Sequence, residues 1–302
     1  MPVRTTEQRN SNSSDIDRLS AIDIVRLMNS EDQLAVAAVG EVAEAISHAV
    51  EIIAAAFKRG GRLIYIGAGT SGRLGVLDAS ECPPTFNSDP EQVVGLIAGG
   101  PRALTRAIEG AEDSTAQGCE DLRAIKLGSE DVLVGIASSG RTPYVLGAVD
   151  YAKSIGCKTI GISCNSGCEL EKACDLAITA VVGPEVVSGS TRLKAGTATK
   201  LILNTLTTAA MVRVGKTYGN LMVDLRATNS KLVDRSQRIV SELTGIASDE
   251  AEALLERCNG ELKTAVVSHL VGCDAEQARK QIEDSGGHLR LAIESMSQMD
   301  SP

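Results

Sequence analysis

The 302-residue sequence predicts an α/β fold. The expected core is a doubly wound parallel sheet, flanked by an N-terminal helical arm and a small C-terminal all-helical domain. Three observations carry this. Short aliphatic runs at 62–66, 93–97, 132–136, 159–162 and 176–181 lack polar alternation, as strands buried on both faces do. Helical stretches separate most of these runs, notably 102–126 and 142–154. Finally, Gly67-Ala68-Gly69-Thr70-Ser71-Gly72 and Ser138-Ser139-Gly140-Arg141-Thr142 each follow an aliphatic run and each open a helix, at the strand ends where open α/β sheets bind ligands.

The first ten to twenty residues are polar, and Asp17-Arg18-Leu19-Ser20 leads into a helical pattern with Ile22, Val25, Leu27 and Met28 available for burial. From Glu31 to Lys58 the Ala, Val and Ile spacing predicts one long helix, stopped by Gly60-Gly61. After strand 62–66 the glycine-rich loop opens a helix that Pro83-Pro84 is expected to end. Beyond Gly183-Pro184 a polar loop precedes a long helix from about 190 to 214, then polar connecting sequence to about 235. Strand character is lost after that, which predicts two domains, 1–235 and 236–302. The tail carries a degenerate repeat, 249–266 echoed by 274–293, each copy a helix, a Gly-containing break and the start of another helix. Packed helix pairs, serving stability or dimer contacts, are the expected role.

Net charge −9 and pI near 5.0, with no Lys/Arg cluster, argue against nucleic-acid or membrane-surface partners, which need a basic face. Aromatics make up 2% of residues and Trp is absent, which removes stacking platforms for single strands. Small polar ligands remain favoured. The eight cysteines form no CxxC pair and no histidine stands at finger spacing, so no metal is expected. Neither a signal-peptide core nor a bilayer-length apolar stretch is legible. The expectation is a cytoplasmic protein with reduced thiols.

Exposed amides, hydroxyls and a helix N-terminus together make an anion site, and phosphate is its best-matched occupant. In the two loops Gly69, Thr70, Ser71, Ser138, Ser139, Gly140 and Thr142 are the candidate contacts. The first loop also satisfies the dinucleotide pattern G-x-G-x-x-G. That pattern wants an acid closing the second strand, whereas this strand ends Leu96-Ile97-Ala98-Gly99-Gly100. A third segment, 183–197, is dense in Gly and hydroxyls and carries Glu185, Arg192 and Lys194; its cations would neutralise a second anionic group. Glu81 stands at the proline corner, and Glu112 lies in the connection after the second strand.

These segments, together with Thr6-Glu7-Gln8-Arg9-Asn10 near the start and Glu81-Cys82-Pro83-Pro84-Thr85-Phe86, closely resemble N-acetylmuramic acid 6-phosphate etherases. That family lies in the sugar isomerase domain superfamily, and the resemblance spans nearly the whole chain. The 183–197 segment is shared with glucokinase regulatory proteins, which resemble two fused copies of this domain, whereas one copy is found here. The resemblance implies cleavage of the lactyl ether of N-acetylmuramic acid 6-phosphate, a substrate in cell-wall amino-sugar recycling, to N-acetylglucosamine 6-phosphate and D-lactate. Elimination on the ring-opened sugar would precede water addition, with the residue matching Glu81 as acid and that matching Glu112 as base. The acid role requires Glu81 to hold a proton near neutral pH, which burial or a neighbouring carboxylate would favour. The family further implies no cofactor, a homodimer with sites near the subunit contact, and a tail resembling ubiquitin-associated helical domains. An aldose–ketose isomerase, a non-catalytic sugar-phosphate sensor and a nicotinamide enzyme are the competing readings.

Overall fold

The computed structural model describes residues 5–224 and 230–297. The chain divides into two compact units, one of Met1–Ser80 with Pro90–Thr208 and the other of Glu81–Asp89 with Ala209–Pro302.

In the first unit the strands β1 (Leu63–Gly67), β2 (Val93–Ile97), β3 (Val132–Ile136), β4 (Lys158–Ser163) and β5 (Leu176–Thr179) form one sheet in the order β2-β1-β3-β4-β5. Every pairing is parallel, as the unalternating apolar runs predict. Residues two apart share a sheet face. Ile64, Ile66 and Leu133 accordingly pack with Tyr144, Val145 and Ala148 of helix α5 (Pro143–Ser154). Tyr65, on the opposite face, donates its hydroxyl to Asp78 of helix α3 (Gly69–Phe86) at 3.0 Å. Helices thus cover both sides of the sheet.

Glycines set how closely α3 approaches. A Cβ on Gly95 of β2 would lie 2.5 Å from the Val76 Cα, and one on Gly75 would lie 3.0 Å from the Tyr65 Cβ. At the amino ends of β1 and β3, Arg62 and Asp131 pair at 2.7 Å. The carboxylate also accepts the Arg62 and Gly128 backbone amides, tying two strand starts together.

Three expectations need correction. The helical sequence before β1 forms two helices, α1 (Ala21–Gly40) and α2 (Ala43–Lys58), instead of a single helix from Glu31. Ser20 caps α1 by accepting the Asp23 amide, and the break falls beside Gly40, a poor helix former. Region 102–126 is not one helix: short 3-10 turns at Pro101–Leu104 and Ala111–Asp113 precede α4 (Thr115–Ala124). Gly110 takes a left-handed φ of 72° there, a break that favours glycine. Lastly, α3 continues past Pro83 and Pro84 to Phe86, ending where Asn87, at φ 49°, donates its amide to the Pro83 carbonyl at 3.0 Å.

Between β4 and β5 lies the short α6 (Glu169–Ala173), and the unit's last helix, α7 (Lys194–Arg213), starts where segment 183–197 ends. The second unit contains a two-stranded hairpin, β6 (Thr217–Tyr218) with β7 (Leu221–Met222), and α8 (Ser230–Thr244). The sequence repeat forms α9 (Ser248–Arg257) with α10 (Leu262–Val271), then α11 (Ala275–Asp284) with α12 (Leu289–Ser297). Val240, Leu254, Val266, Ala278 and Leu289 meet in its core. Lys263 is buried and bonds Asp224 at 3.0 Å and the Gly287 carbonyl at 2.9 Å.

The N-terminal arm joins the first unit through a buried polar cluster. Lys194 Nζ meets Glu31 Oε2 at 2.5 Å, with the side chains 1% and 5% exposed. Asn10 and Asn12 donate side-chain amides to the same carboxylate at 2.7 and 2.8 Å. Burial alone would raise the Glu31 pKa, but the hydrogen bonds from Asn12, Lys194 and Asn10 outweigh it and hold the carboxyl below its ordinary value. Removing one partner of a buried pair strands the other charge. Glu31→Ala is therefore expected to destabilise the protein by about 3–5 kcal/mol in urea unfolding. A carboxyl with a lowered folded pKa stabilises fully above its unfolded value, here 4.5, and loses that contribution as pH falls through the folded value. Glu31→Gln should flatten this acid-side loss, and a wild-type slope in that variant would exclude Glu31 as its source.

Candidate active site

Strand order reverses at β1: the chain steps outward to β2, then returns past β1 to β3 and onward. Such a switch point opens a crevice at the carboxyl ends of the strands on either side. Gly67 and Ile136, the last residues of β1 and β3, are register partners. Both loops singled out in the sequence therefore leave adjacent strands at this one crevice.

The first loop is held by close contact. A Cβ on Gly72 would come within 2.6 Å of Ile97 Cγ1 and 2.7 Å of the Gly67 carbonyl oxygen. Gly69 opens α3 at φ +54° with open space around it, the one exposed glycine of the loop. Thr70 and Ser71 are half-buried in the first turn of the helix. First-turn amides and hydroxyls of a helix N-terminus are the groups that can meet an anion.

In the second loop Gly140, at φ +70°, sits where any Cβ would run into Cys168. Its amide donates to the Ala137 carbonyl and its carbonyl accepts the Leu170 amide, both at 2.8 Å. Asn165 locks the loop further: its Nδ2 donates to the Ser138 carbonyl at 2.8 Å and to Thr6 Oγ1 at 3.1 Å. Ser138 and Ser139 are half-buried beside it. Thr142 is the N-cap of α5, yet its side chain makes no capping hydrogen bond. That hydroxyl is not explained as a simple cap.

Segment 183–197 reaches the first loop through α7, because a Cβ on Gly196 would lie 3.6 Å from Thr70 Cγ2. Two of its expected ligand contacts are committed inside the protein. Glu185 is fully buried and accepts the Lys194 and Ala195 amides at 3.0 Å each, so it fills the N-terminus of α7. Burial pushes its carboxyl above the ordinary value despite those bonds. Lys194 is consumed by Glu31. These two residues shape the segment, and the exposed Arg192 is its outward cation.

Glu112 sits on the 3-10 turn Ala111–Asp113, exposed. It lines a pocket of about 180 Å³ together with Gly69, Arg73, Ala103 and Arg106. The glycine of the first loop and this carboxylate therefore border one space. Glu81, on the last third of α3, is exposed, so the single chain does not supply the burial expected for a proton donor. Sequence reading missed Asn165, Asn10, Glu31 and Arg73. The guanidinium of Arg73 donates to the Leu104 and Arg106 carbonyls at 3.1 and 3.3 Å and holds the pocket wall.

The family model described as glucokinase regulatory protein N-terminal SIS domain matches residues 42–153, and that of the SIS domain matches 120–209. The chain is 63% identical over 262 residues to an N-acetylmuramic acid 6-phosphate etherase from Rhodopirellula baltica, covering 87% of each. The protein of that kind numbered 1 in Vibrio cholerae is 55% identical over 261 residues, 86% of this chain and 87% of the relative. This chain belongs to the N-acetylmuramic acid 6-phosphate etherase family. A phosphoheptose isomerase from Francisella tularensis aligns at TM-score 0.47 with 20% identity, over 64% of this chain and all of that one.

Within this etherase-family chain the two loop glycines with positive φ test which constraint shapes the crevice. Gly69 carries only the left-handed penalty, whereas Gly140 carries it plus the collision with Cys168. Gly140→Ala is expected to lower thermal stability by about 1–3 kcal/mol more than Gly69→Ala. Equal losses in the two variants would show that Cys168 does not define the second loop.

Proposed function

We propose that the protein cleaves the D-lactyl ether of N-acetylmuramic acid 6-phosphate, releasing N-acetylglucosamine 6-phosphate and D-lactate. The observation that carries this is the pocket beyond the carboxyl ends of β1 and β2, which Gly69 of the phosphate-type loop and Glu112 border together. The relatives' shared name supports the same reading.

In the open-chain sugar the C1 aldehyde acidifies the C2 hydrogen. Glu112 takes that proton, the C2–H electron pair forms the C2–C3 double bond, and the C3–O bond breaks. Glu81 gives a proton to the departing lactate oxygen. Water then adds its hydroxyl at C3 and a proton returns to C2, so the net change is one water consumed. The 6-phosphate lies among the amides and hydroxyls of Gly69, Thr70, Ser71, Ser138, Ser139, Gly140 and Thr142, while Arg192 serves the outer rim. Glu185 and Lys194 act by fixing the segment between these groups. No metal or redox group takes part in this scheme.

A homodimer fits three observations. The pocket's roughly 180 Å³ falls below the 300–1,000 Å³ usual for ligand clefts. Glu81 lacks cover in the single chain, and α1 presents Ile22, Val25, Leu34 and Val36 to solvent at 48–61% exposure, more apolar surface on one helix than scattered residues usually give. A second copy would enlarge and dry the site. In this reading the sheet unit carries the binding loops and Glu112, and the helical tail 236–302 serves packing. Among the described residues the eight cysteines form no disulfide, which suits the reducing cytoplasm.

Incubation with N-acetylmuramic acid 6-phosphate should yield D-lactate, and ketose formation instead would mark an isomerase. Glu81→Gln is expected to cut lactate release by about 10²–10⁴-fold while leaving hydrogen exchange at C2 in deuterated water, and Glu112→Gln to abolish both. Undiminished lactate release in either variant would remove that residue from the scheme.

A further inference from the structure

The pocket beside Glu112 has a composition that neither phosphate binding nor proton transfer requires. Its walls include Ala98, Ala103, Ala107 and Ala111, with Ile108 between two of them, and its charged members are Arg73, Arg106, Glu109 and Glu112. Arg73 is occupied by the Leu104 and Arg106 carbonyls. Arg106 is exposed, and among the described residues its guanidinium forms no ion pair. A methyl-lined hollow with one available guanidinium at its edge is complementary to a small branched carboxylate.

We propose that this pocket is the lactyl subsite and that Arg106 is its specificity-determining residue. The inference rests on the etherase reading and deepens it. Of the groups on N-acetylmuramic acid 6-phosphate, only the C3 substituent combines a methyl with a carboxylate. The alanine walls receive the methyl, for which larger side chains would leave no room. The guanidinium of Arg106 takes the carboxylate, a planar fork meeting a planar acceptor.

Charge makes that contact decisive. Glu109 and Glu112 face the same space, so an incoming carboxylate meets two like charges, and Arg73 is already turned to backbone carbonyls. Without Arg106 the lactyl carboxylate would be repelled with little to offset it. The same arrangement brings the lactyl group beside Glu112 and next to Gly69, so one end of the substrate is gripped by loop amides and the other by an arginine. The C2–C3 bond lies between the two grips.

The test uses the full-length protein and two ligands that differ only in the lactyl group. Arg106→Gln is expected to raise KM for N-acetylmuramic acid 6-phosphate by on the order of ten- to a hundredfold, with kcat little changed, as for a contact equal in ground and transition states. The inhibition constant of N-acetylglucosamine 6-phosphate, which lacks the carboxylate, should not move. Arg106→Lys should recover part of the loss, because charge returns without the fork. Ala107→Leu, which adds bulk at an exposed wall position, should weaken the lactyl substrate alone. Equal weakening of both ligands by Arg106→Gln, or no change in KM, would overturn the assignment. Failure of the wild-type protein to release lactate would instead overturn the etherase reading, so the two failures are told apart.

Discussion

The reversal of strand order at β1 is the constraint on which the rest of the molecule depends. A parallel sheet sends all its strands' carboxyl ends to one edge, and only where the chain changes direction do two adjacent loops diverge and leave a crevice. Gly67 and Ile136 end those strands in register, so the two glycine–hydroxyl loops are brought side by side by backbone hydrogen bonding before any side chain acts. Close-contact glycines then fix the helices. Gly72 lets α3 start against β1 and Ile97, and Gly140 lets the second loop fold beneath Cys168. Side chains at these positions would push apart the loops that the sheet has joined.

Around this crevice the polar contacts close a ring. Asn165 joins the Ser138 carbonyl to Thr6 of the arm, and Ser188 donates to the Gln8 carbonyl at 3.0 Å. Asn10 joins the arm to both the Pro184 carbonyl and Glu31, Glu31 holds Lys194, and α7 returns to Thr70 beside Gly196. Asn165, Thr6, Glu31 and Lys194 are buried and Asn10 half-buried, where an unmade hydrogen bond is costly. The ring converts an arm of polar 3-10 turns, which has little apolar surface to hold it, into a fixed wall of the site. Asn165 shows the economy of the arrangement: one side chain, 4% exposed, joins three backbone or hydroxyl groups from two distant segments.

What the sequence revealed and what it hid follow from range. The five strands were legible because burial on both faces leaves an unbroken apolar run, a signal contained within each run. The helix termini before and after β1 were less so: Gly40 and Gly110 each interrupt a region whose average composition still reads as helical. Pro83 and Pro84 marked a stop that arrives only at Asn87, because amides beyond the prolines still find carbonyls within the turn. Lys194 and Glu185 read as ligand contacts since charged residues in a Gly-rich loop normally face solvent. Their partners explain the difference, as Lys194 meets a carboxylate 163 positions away. A hint was present in α1, where Glu31 precedes Ala35 by one helical turn and the two are its buried residues. A charge on the inward stripe of a helix implies a partner, but the stripe does not say which residue it is.

The fate of the anion sites explains how a chain of net charge −9 is suited to a phosphate. Exposed charges more than a Debye length away, about 8 Å at physiological salt, are largely screened, so what a ligand senses is the immediate dipole field. Helices α3, α5 and α7 all start at the carboxyl edge of the sheet. The α7 terminus is filled by the protein's own Glu185, and the cation beside it is neutralised by Glu31. The α3 and α5 termini have no such internal carboxylate among the described hydrogen bonds, and they are the ones bearing the Thr70–Ser71 and Ser139–Thr142 hydroxyls. In the proposed function an external anion is thereby directed to α3 and α5 and away from α7. In that reading the buried ion pair and Glu185 occupy the α7 terminus from within the protein and leave the other two to the ligand.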